Sequence, residues 1–283
     1  TLESNKKIIL LGPRNTESGY LIESGFVTSD KNIDIPNSDS IWSVIGNNKL
    51  TNKSPIKLSW TNNQGVKFEK EISLDEKYLF TINQSVINST DKKYDFYAYG
   101  QIIRNKIPEI SNFYILHEGL IATLDDELIE EDYDDIQEKK FSRISQKGWL
   151  GISDKYWITS LIPSKGKEFK TTFDYKKKFR ANFIATEPLE LEERGKIQEK
   201  LQIIVAAKRV DVIDGYAESL SIDKFDLVID WGFLYFITKP LFFGIDYFFK
   251  LLGNYGLAII AITICIRLAF FPLANFSFRS MAK

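Results

Sequence analysis

Arg267 is the residue whose type and position most clearly require a chemical explanation. It interrupts an otherwise almost wholly apolar run from Tyr255 to Pro272. A run of this length approaches the roughly 20 residues that a helix needs to cross a bilayer. An arginine at the centre of such a span costs at least about 2.5 kcal/mol on insertion-based scales. Two interpretations fit the residues: the guanidinium reaches a nearby membrane boundary, or it lies in a wet, protein-lined cavity that attracts anionic groups.

His117, the only histidine, is the first candidate for acid–base chemistry, because Glu118 follows it directly. Such chemistry needs convergent histidine and carboxylate groups whose pKa values lie near neutrality. The sequence offers no second histidine, glycine-rich phosphate loop, Ser-His-Asp set or zinc-binding spacing. We therefore expect a structural histidine, no catalytic residues and no cofactor.

The stretch from Asp125 to Glu138 is strongly acidic and is the candidate for a metal or a cationic partner. Clustered carboxylates can bind calcium, but the glycine that an EF-hand loop requires is missing. A solvated loop or helix face between strands is the favoured interpretation. We therefore predict no metal site there.

Charge and cysteine content exclude other classes. The 283 residues carry a net charge of -1, which argues against a nucleic-acid partner. The single cysteine, Cys265, lies inside the apolar run, so no intramolecular disulfide is expected. The first 225 residues are polar and mixed, whereas the last fifty or so hold the hydrophobic excess. Because neither end has a signal peptide or a closing element, we expect a fragment of a longer membrane protein.

Short alternating runs dominate the polar part. Pro55 to Trp60 and Val66 to Leu74 alternate around an Asn-Asn-Gln-Gly turn, and similar runs follow at Tyr78 to Val86 and Tyr94 to Ile102. Period-two runs separated by turn residues indicate antiparallel sheets. The sequence predicts a mainly β protein, most simply a sandwich, with a helix from Asp211 to Leu220.

The segment between Trp231 and Leu252 has apolar residues at steps of three and four, which predicts an amphipathic helix. Its aromatic residues suit the headgroup region, with Trp231, Tyr235, Lys239 and Lys250 as interfacial anchors. A second transmembrane span is the alternative, but the charged residues and Pro240 favour a helix lying in the interface. Gly253-Asn254 then supplies a turn into the spanning helix.

Several ordered blocks resemble the YidC family of bacterial membrane protein insertases. The resemblance covers nearly the whole chain and is weakest before about Gly148. Its blocks are Lys147-Gly-Trp149, Tyr156-Trp-Ile-Thr-Ser-Leu-Ile-Pro163, Asp211-Val-Ile-Asp-Gly-Tyr216, residues 223–242, Gly253-Asn-Tyr-Gly256, Ile266-Arg-Leu-Ala-Phe-Phe-Pro-Leu273 and Ser280-Met-Ala-Lys283.

The resemblance implies a domain organisation. Residues 1–224 would form a periplasmic antiparallel β-supersandwich related in fold to galactose mutarotases, with a few helices. Residues 225–253 would form the amphipathic interfacial helix, residues 254–276 one transmembrane helix, and residues 277–283 the start of a cytoplasmic region. Arg279 and Lys283, just after the span, are consistent with a cytoplasmic exit.

The family's function implies a role for Arg267. This arginine would line a hydrophilic groove in which nascent membrane proteins bind before entering the lipid bilayer, alone or with the Sec translocon and its accessory subunits. The expected location is the bacterial inner membrane, with several spans in the whole protein and residues 1–224 in the periplasm. The alternative from another class is a membrane-tethered β-sandwich that binds carbohydrate or acts like a mutarotase.

Overall fold

The computed structural model describes residues 9–108, 117–232 and 234–281. The parts of the predicted domains at residues 1–8, 109–116, 233 and 282–283 lie outside the described residues. The strands are β1 (Tyr20–Val27), β2 (Ser43–Ile45), β3 (Ile56–Thr61), β4 (Val66–Leu74), β5 (Leu79–Asn88), β6 (Tyr94–Arg104), β7 (Gly119–Leu124), β8 (Glu127–Asp132), β9 (Phe141–Ser145), β10 (Gly148–Ser153), β11 (Trp157–Ile162), β12 (Phe169–Tyr175), β13 (Phe179–Ala185), β14 (Leu189–Leu191) and β15 (Lys196–Ala207). The helices are α1 (Tyr133–Glu138), α2 (Val210–Ser219), α3 (Tyr235–Leu252) and α4 (Tyr255–Met281), with a short 3-10 helix at Phe225–Val228.

Two antiparallel sheets form the part of the chain up to Ile229. The six-stranded sheet has the order β1-β6-β13-β12-β9, and β14 also pairs with β6. The nine-stranded sheet has the order β2-β3-β4-β5-β15-β11-β10-β7-β8. The predicted mainly β, antiparallel sandwich is therefore confirmed. Long-range pairs such as β5 with β15 close this sandwich, and they cannot be read from the spacing of alternating runs.

The last elements of the β-domain cover one face of the nine-stranded sheet. Helix α2 buries Ile213 and Tyr216, and the 3-10 helix buries Phe225 and Val228 in the same cluster. The Phe225 ring packs edge-to-face on Trp149, with centroids 5.2 Å apart. The compact unit that contains both sheets thus extends to Ile229, five residues past the predicted boundary at residue 224, which stays a prediction.

The acidic stretch divides among three elements and does not form one loop or helix face. Asp125 and Asp126 occupy a tight turn with positive φ angles, and β8 and α1 follow it. Asp125 Oδ1 accepts hydrogen bonds from the backbone N–H groups of Gln146 and Lys147. Asp126 pairs with the Lys147 ammonium at 2.7 Å. These acidic residues thus close a turn beside the β9–β10 connection.

A polar row crosses the interior of the sandwich. Lys70 on β4 lies directly opposite Gln84 on β5, and Gln84 lies opposite Glu199 on β15. The three residues separate two apolar clusters, one containing Phe68, Val86 and Ile197 and the other containing Ile72, Ile82 and Leu201. Positions that alternation assigns to a continuous core therefore hold two charged side chains and one amide.

Candidate functional site

Helix α3 begins with a turn held by side chains. The Asp230 carboxylate accepts a hydrogen bond from the Gly232 N–H at 2.8 Å, and Gly232 has a φ of 70°. Thr238 Oγ1 donates to the Trp231 carbonyl at 2.7 Å. These bonds place Trp231 beside the first turns of α3, although it precedes the helix.

Two of the predicted anchors, Trp231 and Lys239, lie together at the start of α3. The Lys239 ammonium is 5.8 Å from the centroid of the Trp231 ring, which is within the range of a cation–π contact. Trp231 also packs edge-to-face on Phe242, with centroids 5.5 Å apart. Tyr235 is exposed and packs edge-to-face on Phe236. This end of α3 thus presents an exposed group of aromatic rings with one ammonium.

The fourth anchor, Lys250, lies near the other end of α3. Its ammonium pairs with Asp246 one turn earlier at 2.6 Å. Eleven residues separate Lys250 from Lys239, which corresponds to about 16 Å along a helix. The anchors therefore form two groups on one helix and do not converge on a single site.

Gly253 and Asn254 form the joint between α3 and α4. Gly253 has a φ of 67° and donates its N–H to the Phe249 carbonyl, as expected of a glycine that ends a helix. Asn254 Oδ1 accepts from the Leu257 N–H at 3.2 Å and so caps the start of α4. The predicted turn at these two residues is present in the structure.

Helix α3 folds back along α4. The Phe249 and Tyr255 rings stack with centroids 4.1 Å apart, and a Cβ added to Gly244 would lie 2.8 Å from Cδ1 of Ile262. Gly244 and Ile262 each lie about 12–14 Å from the joint along their helices. If the helices met at a right angle, these residues would be about 18 Å apart. The described hairpin therefore differs from a helix lying flat at right angles to the span.

Helix α4 contains the membrane-crossing candidate. Among the described residues, one helical segment is both long enough and apolar enough to cross a bilayer, and it runs from Tyr255 to Pro272. The helix begins at Tyr255 and continues to Met281, so its backbone extends beyond the predicted end at residue 276. Helix α3 is not such a segment, because Lys239, Asp246 and Lys250 give it three charged side chains. Thr263 Oγ1 donates to the Ile259 carbonyl, which satisfies this hydroxyl within the helix.

Arg267 lies on the face of α4 that α3 leaves uncovered. Ala258 is fully buried and Ile262 contacts Gly244, so these two residues mark the face that packs against α3. At about 100° per residue, Arg267 lies about 180° around the helix from Ala258 and about 140° from Ile262. Its side chain is exposed, and no carboxylate of the described residues lies within ion-pair distance. The structure thus places the guanidinium on an apolar surface with no neighbouring helix from this hairpin.

His117 has structural partners on both ring nitrogens. Nε2 lies 3.2 Å from the Leu120 carbonyl and Nδ1 lies 3.3 Å from the Asp132 carboxylate. Glu118 accepts a hydrogen bond from the Lys155 N–H at 2.8 Å. In the described ranges, no group of three or more histidine, cysteine or acidic side chains is arranged to hold a metal.

Two residues of structural importance were missed by sequence reasoning. Gly244 was not singled out, although a small residue inside an otherwise bulky helix is a signal for close helix packing. Lys70 interrupts the apolar alternation of Val66, Phe68, Ile72 and Leu74, and this interruption could have marked it. Burial lowers the pKa of Lys70 to about 8.

Comparisons with known proteins give one family. A family model described as the YidC periplasmic domain matches residues 1–243. The chain is 71% identical over 282 residues to the membrane protein insertase YidC of Pelagibacter ubique, covering all of this chain and 50% of that protein. It is 38% identical to the protein of the same name from Mesorhizobium japonicum, covering 48% of that protein.

Solved structures match part of this chain at low identity. A galactose mutarotase related enzyme from Lactobacillus acidophilus has a TM-score of 0.44 at 12% identity, covering 58% of this chain and 70% of that one. A galactose mutarotase-like protein from Lactobacillus casei has a TM-score of 0.42 at 10% identity, covering 58% of this chain and 72% of that one.

Proposed function

This chain belongs to the YidC family of membrane protein insertases, and we propose that it forms part of an insertase that assists the insertion and folding of integral membrane proteins. The chain spans about half the length of the curated relatives that it matches. The proposed activity is therefore that of the whole protein, to which this chain contributes a β-domain, helix α3 and one span.

The position of Arg267 is the observation that carries this proposal. The guanidinium lies on the exposed face of α4, roughly opposite the face that packs against α3. A charge on the surface of a span is stable when it faces a hydrated cavity lined by protein. In the whole protein, further helices would pack around this face and would complete a groove with Arg267 on one wall.

Insertion through such a groove needs no covalent chemistry. The polar flank of a client would enter the hydrated space, where Arg267 and water lower the free energy of removing it from bulk solvent. The apolar part of the client then moves into lipid, and its burial contributes roughly 25 cal/mol for each Å² removed from water. Because the groove lowers a barrier without changing a bond, we propose that the protein is not an enzyme.

We propose that α3 supports the span at the membrane surface. Its aromatic rings and the two groups around Lys239 and Lys250 have the composition of an interfacial helix. The contact between Gly244 and Ile262 supports an inclined helix that follows α4 for part of its length. Trp231, Tyr235, Lys239 and Lys250 would then anchor this end of the hairpin at the headgroups.

The proposed location is the bacterial inner membrane, with the β-domain in the periplasm and several spans in the whole protein. The proposed partners are nascent membrane proteins, the Sec translocon with its accessory subunits, and the bilayer itself. A periplasmic β-domain and a cytoplasmic exit of α4 agree with Arg279 near the end of the helix.

Site-specific crosslinking to a stalled membrane-protein nascent chain tests the groove in the full-length protein. Photoreactive side chains at Thr263 and Phe271 each lie about 40° around α4 from Arg267. Cys265 is the matched control, because it lies at nearly the same depth but about 160° away. All three positions are exposed in the hairpin.

We expect crosslinks from Thr263 and Phe271 and few from Cys265. Equal crosslinking from all three positions would indicate general lipid exposure of the helix and would contradict a groove on the Arg267 face. Crosslinks from Cys265 alone would place the client on the wrong side of α4.

A further inference from the structure

A cavity of about 340 Å³ adjoins the polar row in the β-domain. It lies where edge strand β1 meets β3, β4 and β5, and the segment from Pro36 to Trp42 borders it. Its volume is at the lower end of the range of about 300–1,000 Å³ that small-molecule sites occupy. The exposed residues Asn37 and Ser38 at its border leave it accessible from solvent.

Lys70 places a positive charge in this cavity. Its ammonium donates to the Ser24 carbonyl and lies 5.3 Å from the centroid of the Trp42 ring. An ammonium has three N–H donors, so these contacts leave capacity for a further acceptor. Although burial lowers the pKa of Lys70 to about 8, the side chain is still mostly protonated at pH 7.

The other charged residues of the cavity are already neutralised. Arg14 pairs with Glu23 at one side of the cavity. Glu69 pairs with Lys67 at 2.5 Å on the other face of β4. Among the described residues, no carboxylate lies within ion-pair distance of Lys70. The cavity therefore has an excess positive charge at this ammonium.

Gln84 adds an unsatisfied acceptor next to this charge. The residue is 2% exposed and lies directly opposite Lys70 on the neighbouring strand. Its Oε1 atom is buried and has no hydrogen-bond partner among the described residues. A buried acceptor without a donor is unfavourable, so a ligand that donates a hydrogen bond here relieves this cost.

The remaining surface of the cavity is apolar. Trp42, Phe68, Ile72, Ile82 and Tyr99 contribute to its lining. An apolar pocket with a few convergent polar groups is the usual composition of a small-molecule site. The polar groups of the cavity therefore select the polar end of a ligand, and the apolar lining selects a ligand whose remaining part is apolar.

We propose that this cavity binds a small organic carboxylate that has an apolar body and an O–H or N–H donor next to the carboxylate. The carboxylate accepts from Lys70, the neighbouring donor bonds to Gln84 Oε1, and the apolar body packs against Trp42 and Phe68. Such a group is found in free α-hydroxy or N-acyl acids and at the C-terminus of a peptide with an apolar last residue.

Titration calorimetry of the 283-residue chain in detergent micelles at pH 7 tests the proposal, with titrations into empty micelles as the blank. The probes are 3-phenyllactate, N-acetylphenylalanine, and a pentapeptide that ends in phenylalanine. 3-Phenylpropionate lacks the donor, and N-acetylphenylalaninamide lacks the carboxylate. We expect each acid with a donor to bind at least about tenfold more tightly than the amide, because a charge-assisted hydrogen bond is lost with the carboxylate.

The peptide separates the two sources of this chemistry. Binding of the pentapeptide as tightly as N-acetylphenylalanine assigns the site to peptide ends, and binding of only the small acids assigns it to free acids. If none of the acids binds saturably, or if acid and amide bind equally, the proposal is wrong.

Matched variants assign the binding to residues. Lys70→Met should weaken binding of 3-phenyllactate at least about tenfold, whereas Lys57→Met should leave it unchanged. Lys57 lies on adjacent strand β3, where it forms an exposed ion pair with Glu71 at 3.4 Å. Gln84→Leu should remove the advantage of 3-phenyllactate over 3-phenylpropionate. Tight binding of 3-phenyllactate by Lys70→Met would overturn the assignment, and the probe series on the unaltered chain remains decisive if a variant does not fold.

Discussion

Gly244 of α3 faces Ile262 of α4 so closely that a Cβ at the glycine would lie 2.8 Å from Cδ1 of the isoleucine. This contact holds α3 against the span about 12–14 Å from the joint at Gly253. Together with the buried Ala258, this contact marks the face of α4 that α3 covers, and Arg267 lies on the opposite side.

A disulfide should report this contact. In a Cys265→Ser background, Gly244→Cys combined with Ile262→Cys should crosslink under mild oxidation, because the two side chains start from neighbouring backbone positions. Gly244→Cys combined with Ile264→Cys is the control, since residue 264 lies about 200° around α4 from residue 262. Non-reducing electrophoresis of the protein in membranes distinguishes the two pairs. Equal yields would contradict the folded-back hairpin.

Arg267→Ala in the full-length protein should impair clients with acidic translocated tails more than clients with neutral tails. Loss of an attraction of about 1–1.4 kcal/mol in a hydrated groove corresponds to a five- to tenfold slower insertion of acidic clients. Arg267→Lys retains the charge and should retain most of the activity. Protease protection of the two client sets provides the measurement. Equal insertion of both sets by Arg267→Ala would remove the electrostatic part of the proposal.

The contribution of Lys70 to the free energy of unfolding of the β-domain should rise as the pH increases from about 8 to 10.5. Burial lowers the pKa of Lys70 from 10.5 to about 8 in the folded chain, so the unfolded chain binds more protons in this window. This difference between the two pKa values corresponds to about 3 kcal/mol of destabilisation. The fold is destabilised by this amount below pH 8, and the destabilisation decreases as Lys70 loses its proton above pH 8. At pH 7 the Lys70→Met variant should therefore have a higher free energy of unfolding than the unaltered chain.

The pH profile separates Lys70 from its neighbours. The other charged and polar residues of the cavity, Glu23, Glu69, Arg14 and Tyr99, are the same in both proteins, so the difference between the two curves isolates the change at residue 70. Urea unfolding at several pH values should therefore show a difference between variant and unaltered chain that shrinks above pH 8. A constant difference would show that the charge of Lys70 is not responsible.

Arg104 and Asp154 connect the two sheets through an ion pair whose side chains are only 12% and 14% exposed. Arg104 on β6 donates to Asp154 Oδ1 at 2.5 Å and to the Tyr133 hydroxyl at 3.1 Å, and it stacks over the Tyr20 ring. Arg104→Met should cost about 3–5 kcal/mol, because it leaves the Asp154 carboxylate without its partner. Urea unfolding measures this loss, and Arg194→Met, which breaks an exposed pair with Asp91, should cost less than about 1 kcal/mol.

Gly215→Ala should stabilise α2 by about 0.5–1 kcal/mol. A Cβ at this helical position meets no atom within 4 Å, and alanine loses less backbone entropy on folding than glycine. Gly151→Ala is the opposite case, since its Cβ would lie 2.3 Å from the Thr159 carbonyl oxygen. Chemical denaturation should show a gain for the first variant and a loss for the second.

The local pattern of apolar and polar residues predicted several strands and helices correctly. The alternation from Val66 to Leu74 became β4, and the predicted helix from Asp211 to Leu220 became α2. The span was predicted from its length and apolarity. These features depend on residues close in sequence, for which periodicity is a direct physical signal.

Features that depend on distant partners were not predictable in this way. Phe225 and Val228 read as the approach to a membrane, yet their partner Trp149 lies about 75 residues earlier and draws them into the β-domain. Helical periodicity shows which residues share a face of α4 with Arg267. It does not show which face packs against α3, because that depends on the close contact of Gly244 with Ile262. The predicted interfacial anchors stay a prediction, because only a bilayer can define that position.

The polar row also restricts strand register during folding. A strand that slips by two residues keeps every side chain on its original face, so a uniformly apolar face would tolerate that error. In β4 a two-residue slip would move Lys70 opposite Ile82 or Val86 and would place its ammonium inside an apolar cluster. A buried polar group that specifies one pairing is known from coiled coils. The lysine thus lowers the stability of the native sandwich while it excludes misaligned alternatives.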